Sequence, residues 1–323
     1  MSTHNKAFIQ EPSPILCGIV NVTPDSFSDG GKWNSVEKAV AHALSLVEQG
    51  AGMLDVGGES TRPSSSFVPV EEEIERIVPV IRELKKHTNV PISIDTWKSE
   101  VAQAALDAGA DIINDITGFA GDSNMANVVA KAKCDVILMF NPVIYRPEHE
   151  SCAIFPSFNL HKSNEKFFTH ADKAAMQKMH IIDAMKYYME RSLSIARDSG
   201  ILDNNIMLDP GIGFGLTKKE NAMLIKHIDV LKNMGFRIFL GVSRKRFLVH
   251  ILSQANINTD AESDEGFKNR DIASAILTSI ATQKNIDIVR VHSISEHKIA
   301  RNVMHAILHA EDETNTHFSA YKK

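Results

Sequence analysis

Cysteine is scarce in this chain: three residues in 323, Cys17, Cys134 and Cys152, with no CxxC and no nearby paired histidines. That spacing excludes a thiolate metal site and leads us to expect three unpaired thiols. Charge of one sign is also lacking. A net charge of −5 and a pI near 6.3 argue against an extended nucleic-acid surface, while leaving room for a small basic cluster that binds phosphate. The opening residues, MSTHNKAFIQEPSP, have neither the cationic start nor the apolar core of a signal peptide, and no run of about 18 apolar residues occurs, so a cytoplasmic location is expected. There is no GxGxxG after the first apolar run, and the glycine-rich stretch Asp209–Gly215 lacks the GK[ST] ending of a P-loop, which excludes an NTPase. Gly-x-Ser-x-Gly is absent, as is any Cys/His pair placed for covalent catalysis. No internal repeat or low-complexity linker interrupts the chain.

What is present is alternation. Short apolar runs at Ile15–Val20, Gly52–Val56, Pro91–Asp95, Asp111–Asp115, Asp135–Phe140, Ile206–Asp209, Arg237–Val242 and Asp287–Val291 read as strands, with amphipathic helices between them. In the first helix Val36, Val40, Ala43, Leu44 and Val47 form the stripe, Asn34 and Glu37 suit a capping box, and Gly50 suits the end. The helix from Val70 has Glu71, Glu72 and Glu73 at its positive end and Lys85 and Lys86 at its negative end, with Pro79 expected to kink it. Further stripes are Ile182–Met185–Met189–Leu193–Ala196, Leu224–Ile228–Leu231, Ile272–Ile276–Ile280 and Ile299–Val303–Ile307, each expected to face the core. Eight strands in alternation with helices select a (β/α)8 TIM barrel, one domain over residues 1–323, in preference to an open doubly wound sheet. Two stretches break the pattern. Residues 141–179 are too long for a simple βα loop and are expected to form an insertion over or beside the barrel mouth; Ala261–Asn269 is expected to be a mobile polar loop.

In such barrels the site lies at the C-terminal ends of the strands. Here those ends carry Asn21, Asp55, Asp95, Asn114 with Asp115, Asp209, Ser243-Arg244-Lys245, and Arg290 with His292. Singly, each is explained by cap or turn chemistry. Jointly, carboxylates and carboxamides at nearly every strand end, above apolar strand bodies, point to a ligand. Asp95, Asn114 and Asp209 offer acceptors and an amide that suit a flat heterocycle with amino and lactam groups, and Lys245 suits donation to a ring carbonyl or nitrogen. Asn21, Arg290 and His292, beside the glycine-flanked stretch Gly18–Gly31, suit a phosphate-like anion. Asn21 is neutral, so a metal there is expected to be shared with the phosphate in the manner of Mg2+.

The motifs NVTPDSFSDGG (21–31), DVGGESTRP (55–63), SIDTWK (93–98), INDITG (113–118), LDPGIGFG (208–215), SRK (243–245) and RVH (290–292) make the chain closely resemble the dihydropteroate synthase family. The resemblance implies condensation of 4-aminobenzoate with 6-hydroxymethyl-7,8-dihydropterin pyrophosphate in folate biosynthesis, with catalytic roles for Lys245, Arg290 and His292. It implies that Asp95, Asn114, Asp209 and Lys245 hold the pterin, and that Asn21, Arg290 and His292 hold pyrophosphate with Mg2+, Asn21 being the metal ligand. Phe27, Thr61, Arg62, Pro63, Phe214 and Ser243 are implied as contacts for 4-aminobenzoate and its sulfonamide mimics. The family is usually homodimeric. Two departures stand out: Phe140-Asn141-Pro142 and a long insertion replace a short His-Met turn after the fifth strand, and Ser293 follows RVH where an acidic residue is common. Alternatives are a pterin-binding paralogue without synthase activity, a methyltetrahydrofolate-binding methyltransferase-type barrel, and a Schiff-base lyase using Lys245. The complete aminobenzoate loops weigh against the second.

Overall fold

Eight parallel strands close on one another in sequence order, β1 to β8, with β1 pairing β8. We obtained this arrangement as a computed structural model, which describes residues 13–22, 32–158 and 167–311. The strands are β1 Ile15–Asn21, β2 Met53–Gly57, β3 Ile92–Asp95, β4 Ile112–Asp115, β5 Asp135–Met139, β6 Ile206–Asp209, β7 Arg237–Gly241 and β8 Ile288–Val291. Each lies within one residue of its expected bounds, because a strand buried on both faces is written as a short continuous apolar run. The helices are α1 Lys32–Gln49, α2 Val70–His87, α3 Ser99–Asp107, α4 Met125–Ala132, α5 His170–Met176, α6 Ile181–Asp198, α7 Lys218–Lys226, α8 Asp229–Lys232, α9 Arg246–Gln254, α10 Asp264–Gln283 and α11 Ser295–Leu308. This is the expected (β/α)8 barrel.

The helical stripes mostly bury as expected. Ile77, Ile81 and Leu84 of α2 and Met185, Met189, Leu193 and Ala196 of α6 sit in the core, and α2 runs through Pro79. Glu71, Glu72 and Glu73 stand in the first turn of α2 as expected, and Glu73 among them is fully buried. α1 starts at Lys32, so Asn34 falls inside the helix and not at its N-cap.

Two stripes face the other way. Ile272 and Ile276 of α10 are 44% and 58% exposed, and Ile299, Val303 and Ile307 of α11 are 66%, 58% and 63% exposed; only Ile280 packs partly on the core. The inward faces are made instead by Asp271, Ser274, Thr278 and Thr282 of α10 and by His297 and Arg301 of α11, all buried. Thr278 Oγ1 meets His297 Nδ1 at 2.6 Å, and Arg301 Nη1 donates to Pro14 O at 3.2 Å. Periodicity identifies a stripe but not what covers it, and here the hydrogen-bonded face turned inward. The expected loop at 261–269 is likewise mostly helix: Ser263 caps α10 by accepting from Gly266 N at 3.1 Å.

The stretch after β5 begins with a 3-10 turn at Pro142–Ile144 and ends in α5; residues 159–166 lie outside the described residues. It touches several strand-end loops. Arg146 makes a two-pronged pair with Glu220, Cys152 Sγ bonds Gly215 O at 3.2 Å, and Phe155 lies 5.8 Å from Phe214 between ring centroids. The three cysteines are free.

The turn after β6 requires glycine. Gly211 has φ +70°, and a Cβ there would lie 1.9 Å from Phe140 O. We expect Gly211→Ala to cost at least about 2 kcal/mol, since the added carbon meets backbone and not a movable side chain; denaturant unfolding of the purified variant checks this.

Candidate active site

Strand side chains alternate in direction, so residues two apart on one strand stack along the barrel interior. One interior layer is apolar: Ile15, Cys17, Met53, Ile112, Ile137, Met207, Phe239 and Ile288. Two residues further along, toward the C-terminal ends, the same faces carry Asp55, Asn114, Asp209 and Arg290, with Gly241 leaving space on β7. A polar layer thus lies on an apolar floor.

Arg290 ties this layer together. Its Nε donates to Asp55 Oδ2 and its Nη2 donates to Asp95 Oδ2 at 2.7 Å. Asp55 is fully buried; it also accepts from Ser93 Oγ and from Asn114 Nδ2 at 3.2 Å. Burial works against the Arg290 charge, but Asp55 and Asp95 more than offset it and hold its pKa above the ordinary value. Burial pushes the Asp95 carboxyl up to about 7, with Arg290 opposing and Asp55 reinforcing. Asp209 is raised by burial to about 6, against the Gly211 N–H that its Oδ1 accepts at 2.7 Å and the charge of Lys245. Asp115, next to Asn114, points away from this layer and caps its own turn through Thr117 and Phe119.

Lys245 precedes α9. Its Nζ lies 5.2 Å from the Phe214 ring centroid, and the space above Gly213 and Gly241 admits its chain. Burial lowers its pKa to about 8, with Asp209 opposing and Arg290 assisting. Ser243 and His292 form a pair: Ser243 Oγ accepts from His292 N at 3.2 Å and lies 2.9 Å from its Nδ1. Burial, then Arg244, Arg290, Arg62 and Lys245, hold the His292 imidazole well below its usual range, so it is neutral at pH 7.

The structure therefore brings Asp95, Asn114, Asp209, Lys245 and Arg290 together and sets Ser243 with His292 beside them. Asn21 is half-buried at the end of β1, its backbone opposite Gly57. Thr61, Arg62 and Pro63 follow β2 on a loop in which Ser65 Oγ donates to Arg62 O at 2.7 Å. Phe27 lies outside the described residues. No group of three or more His, Cys, Asp or Glu able to hold a metal occurs among the described residues. Asp55 is the site residue our reading of the sequence left without a role. Its signal was present, since it sits at a strand end two residues beyond apolar Met53.

The sequence model of the pterin binding enzyme family matches residues 17–292. The chain belongs to that family. Within it, the dihydropteroate synthase of Bacillus subtilis strain 168 is 36% identical over 306 residues, spanning 95% of this chain and 93% of that protein. The enzyme of Streptococcus pyogenes serotype M3 is 37% identical over 287 residues, 89% of this chain and 93% of that protein. Among solved structures, dihydropteroate synthase from Clostridium difficile in the presence of pteroic acid superposes with a TM-score of 0.74 at 34% identity, over 91% of this chain and 96% of that one. The Xanthomonas albilineans enzyme with 4-aminobenzoic acid gives 0.74 at 34%, over 91% and 93%.

In this family member, amine-reactive labelling of Lys245 should show a midpoint near pH 8, and Asp209→Asn should move it lower still, because the carboxylate that favours the ammonium is gone. Mass spectrometry of the labelled peptide across pH reads both; a midpoint near 10 would contradict the burial argument.

Proposed function

We propose that this family member is a dihydropteroate synthase, joining 4-aminobenzoate to 6-hydroxymethyl-7,8-dihydropterin pyrophosphate and releasing pyrophosphate. The observation that carries the reading is the polar cluster: two carboxylates and a carboxamide at the ends of β3, β6 and β4, with an ammonium on the loop after β7, in a chain whose relatives bear that name. Asp95, Asn114, Asp209 and Lys245 hold the pterin by its amino, lactam and ring-nitrogen groups. The apolar floor beneath excludes water from them.

Asn21, Arg290 and His292 hold the pyrophosphate. Two of the five N–H donors of Arg290 are engaged with carboxylates, which leaves three for an anion. Neutral His292 adds a donor without a full charge. Asn21 would offer one neutral carbonyl to a Mg2+ shared with the pyrophosphate, which would help neutralise the anion's charge. Arg62, Thr61, Pro63, Phe27, Phe214 and Ser243 receive the 4-aminobenzoate, Arg62 facing its carboxylate. Sulfonamides occupy the same pocket.

Reaction breaks the bond between the pterin methylene carbon and the pyrophosphate oxygen and forms one from that carbon to the arylamine nitrogen, which gives up a proton. No side chain serves as nucleophile, so Lys245, Arg290 and His292 act by position and charge on the departing anion. Pyrophosphate leaves ahead of full bonding to the amine, and ordering of the loops after β1 and β2 keeps water from the cationic carbon. The described parts of the insertion, residues 141–158 and 167–179, belong to the same domain and lie over or beside the mouth, against the loops after β2 and β6.

The outward stripes support a homodimer. Ile272, Ile276, Ile299, Val303 and Ile307 make an apolar face across α10 and α11, and a second copy of the chain covers it to form a homodimer. No helix of the described residues is long and apolar enough to cross a membrane, and we place the enzyme in the cytoplasm.

Pyrophosphate release from the dihydropterin substrate should depend on 4-aminobenzoate and yield dihydropteroate. Tight pterin binding without turnover would instead favour the paralogue. Asp95→Asn should weaken pterin binding by about 2 kcal/mol, roughly thirtyfold, while Pro63→Ala should raise the KM for 4-aminobenzoate with pterin affinity nearly unchanged; calorimetry and steady-state kinetics separate the two. The wild-type chain should sediment as a dimer and Ile276→Asp/Val303→Asp as a folded monomer. A wild-type monomer would remove the interface from the proposal.

A further inference from the structure

The loop after β2 carries Thr61, Arg62 and Pro63, and its two ends are gathered by a single ammonium group. Lys98, just before α3, donates from Nζ to Val68 O at 2.6 Å, to Glu73 Oε2 at 2.7 Å and to Glu59 Oε1 at 3.1 Å, using all three of its hydrogens. Glu59 Oε1 also accepts from Val68 N at 2.8 Å, and its Oε2 accepts from Trp97 Nε1 at 2.7 Å. Glu59 begins the loop and Val68 ends it. Between them, Phe67 places its ring 4.4 Å from the same ammonium. The side chains of Lys98, Glu59 and Glu73 are 1%, 6% and 0% exposed, so water does not compete.

The loop is pressed onto the barrel as well as tied. A Cβ on Gly58 would lie 2.8 Å from Ile77 Cγ2 and 3.0 Å from Glu73 Cγ, so the chain runs directly over α2 at the turn that supplies Glu73. Arg76 Nη1 donates to Gly58 O at 2.7 Å. On the other side, Ser64 N donates to Ile154 O at 2.9 Å, within the stretch after β5.

As a source of stability this cluster is a poor choice. It sets one ammonium against two buried carboxylates, leaves Glu73 Oε1 with no partner, and drives the Glu73 carboxyl upward by burial. Apolar side chains of the same volume hold two elements together at least as well. What they do not supply is a fixed distance between Glu59 and Val68, and so a fixed path for the residues between.

We infer that Lys98 is a positioning residue for the reaction: through Glu59 and Val68 it holds the loop after β2 in one shape and so sets where Arg62 meets the carboxylate of the acceptor. It touches no reacting atom. The inference rests on the synthase reading for its acceptor, although the tie itself does not.

The test uses the full chain with Lys98→Met, which keeps length and removes the charge. We expect the KM for 4-aminobenzoate to rise at least tenfold while the dissociation constant of the pterin substrate stays within twofold, and amide exchange over 58–68 to accelerate. Arg237→Met, which releases Asp135 at the opposite end of the barrel, serves as the control for general destabilisation and should leave that KM unchanged. If Lys98→Met does not fold, Lys98→Met/Glu73→Gln and Glu59→Gln carry the same readouts. An unchanged acceptor KM, or acceptor KM and pterin affinity worsening together, would overturn the inference. Exchange separates it from the synthase reading: a wild type without turnover sinks that reading, whereas unaltered exchange over 58–68 in the variants sinks this one.

Discussion

The buried contact of Arg290 with Asp55 and Asp95 is the constraint on which the site depends. Asp55 has no exposed surface, and a buried carboxylate without a charged partner carries a large desolvation cost. Arg290 reaches it from the strand that closes the barrel on β1, so ring closure and charge compensation are the same event. Removing one member of a buried pair typically costs about 3–5 kcal/mol, more than most single core contacts supply. Asn114 and Ser93 use the remaining lone pairs of Asp55, which orients the amide on β4 without any ligand.

This arrangement also explains the spread of protonation behaviour across a few side chains. Burial raises both Asp95 and Asp209, and both feel Asp55, but only Asp209 also accepts a backbone N–H, from Gly211; Asp95 stands at about 7 and Asp209 at about 6. Lys245 is displaced in the opposite sense, to about 8, because burial disfavours its charge as well. Acid and base thus titrate close to neutrality within one layer, where small changes in occupancy by a ligand shift protons.

Much of the barrel is legible in the sequence because its signals are local. Ile112-Ile113-Asn114-Asp115 reads as a buried strand ending in polar atoms wherever it stands. Which of two adjacent polar residues faces inward is also local: Asn114 lies two positions beyond Ile112 of the floor, whereas Asp115 turns out to cap its own loop. The direction of α10 and α11 is not local. Ile276 and Val303 make good core stripes on paper, and it takes long-range contacts of the opposite faces, Thr278 with His297, Asp271 with Arg244 and Arg301 with Pro14, to turn them outward. Lys98 and Glu73 escape sequence reading for the same reason. A charged residue at a helix start reads as solvated, and nothing in the neighbours of Lys98 shows that a loop 30 to 39 residues away will cover it.

The floor of Ile15, Cys17, Met53, Phe239 and their neighbours has a kinetic consequence. It seals one end of the barrel, so among the described residues the polar layer opens toward the strand ends, where the loops after β2 and β6 stand. Two molecules stacked along that axis form a queue with one door. On the two-substrate reading proposed above, the deeper of the two would enter first and could not leave while the outer position was filled.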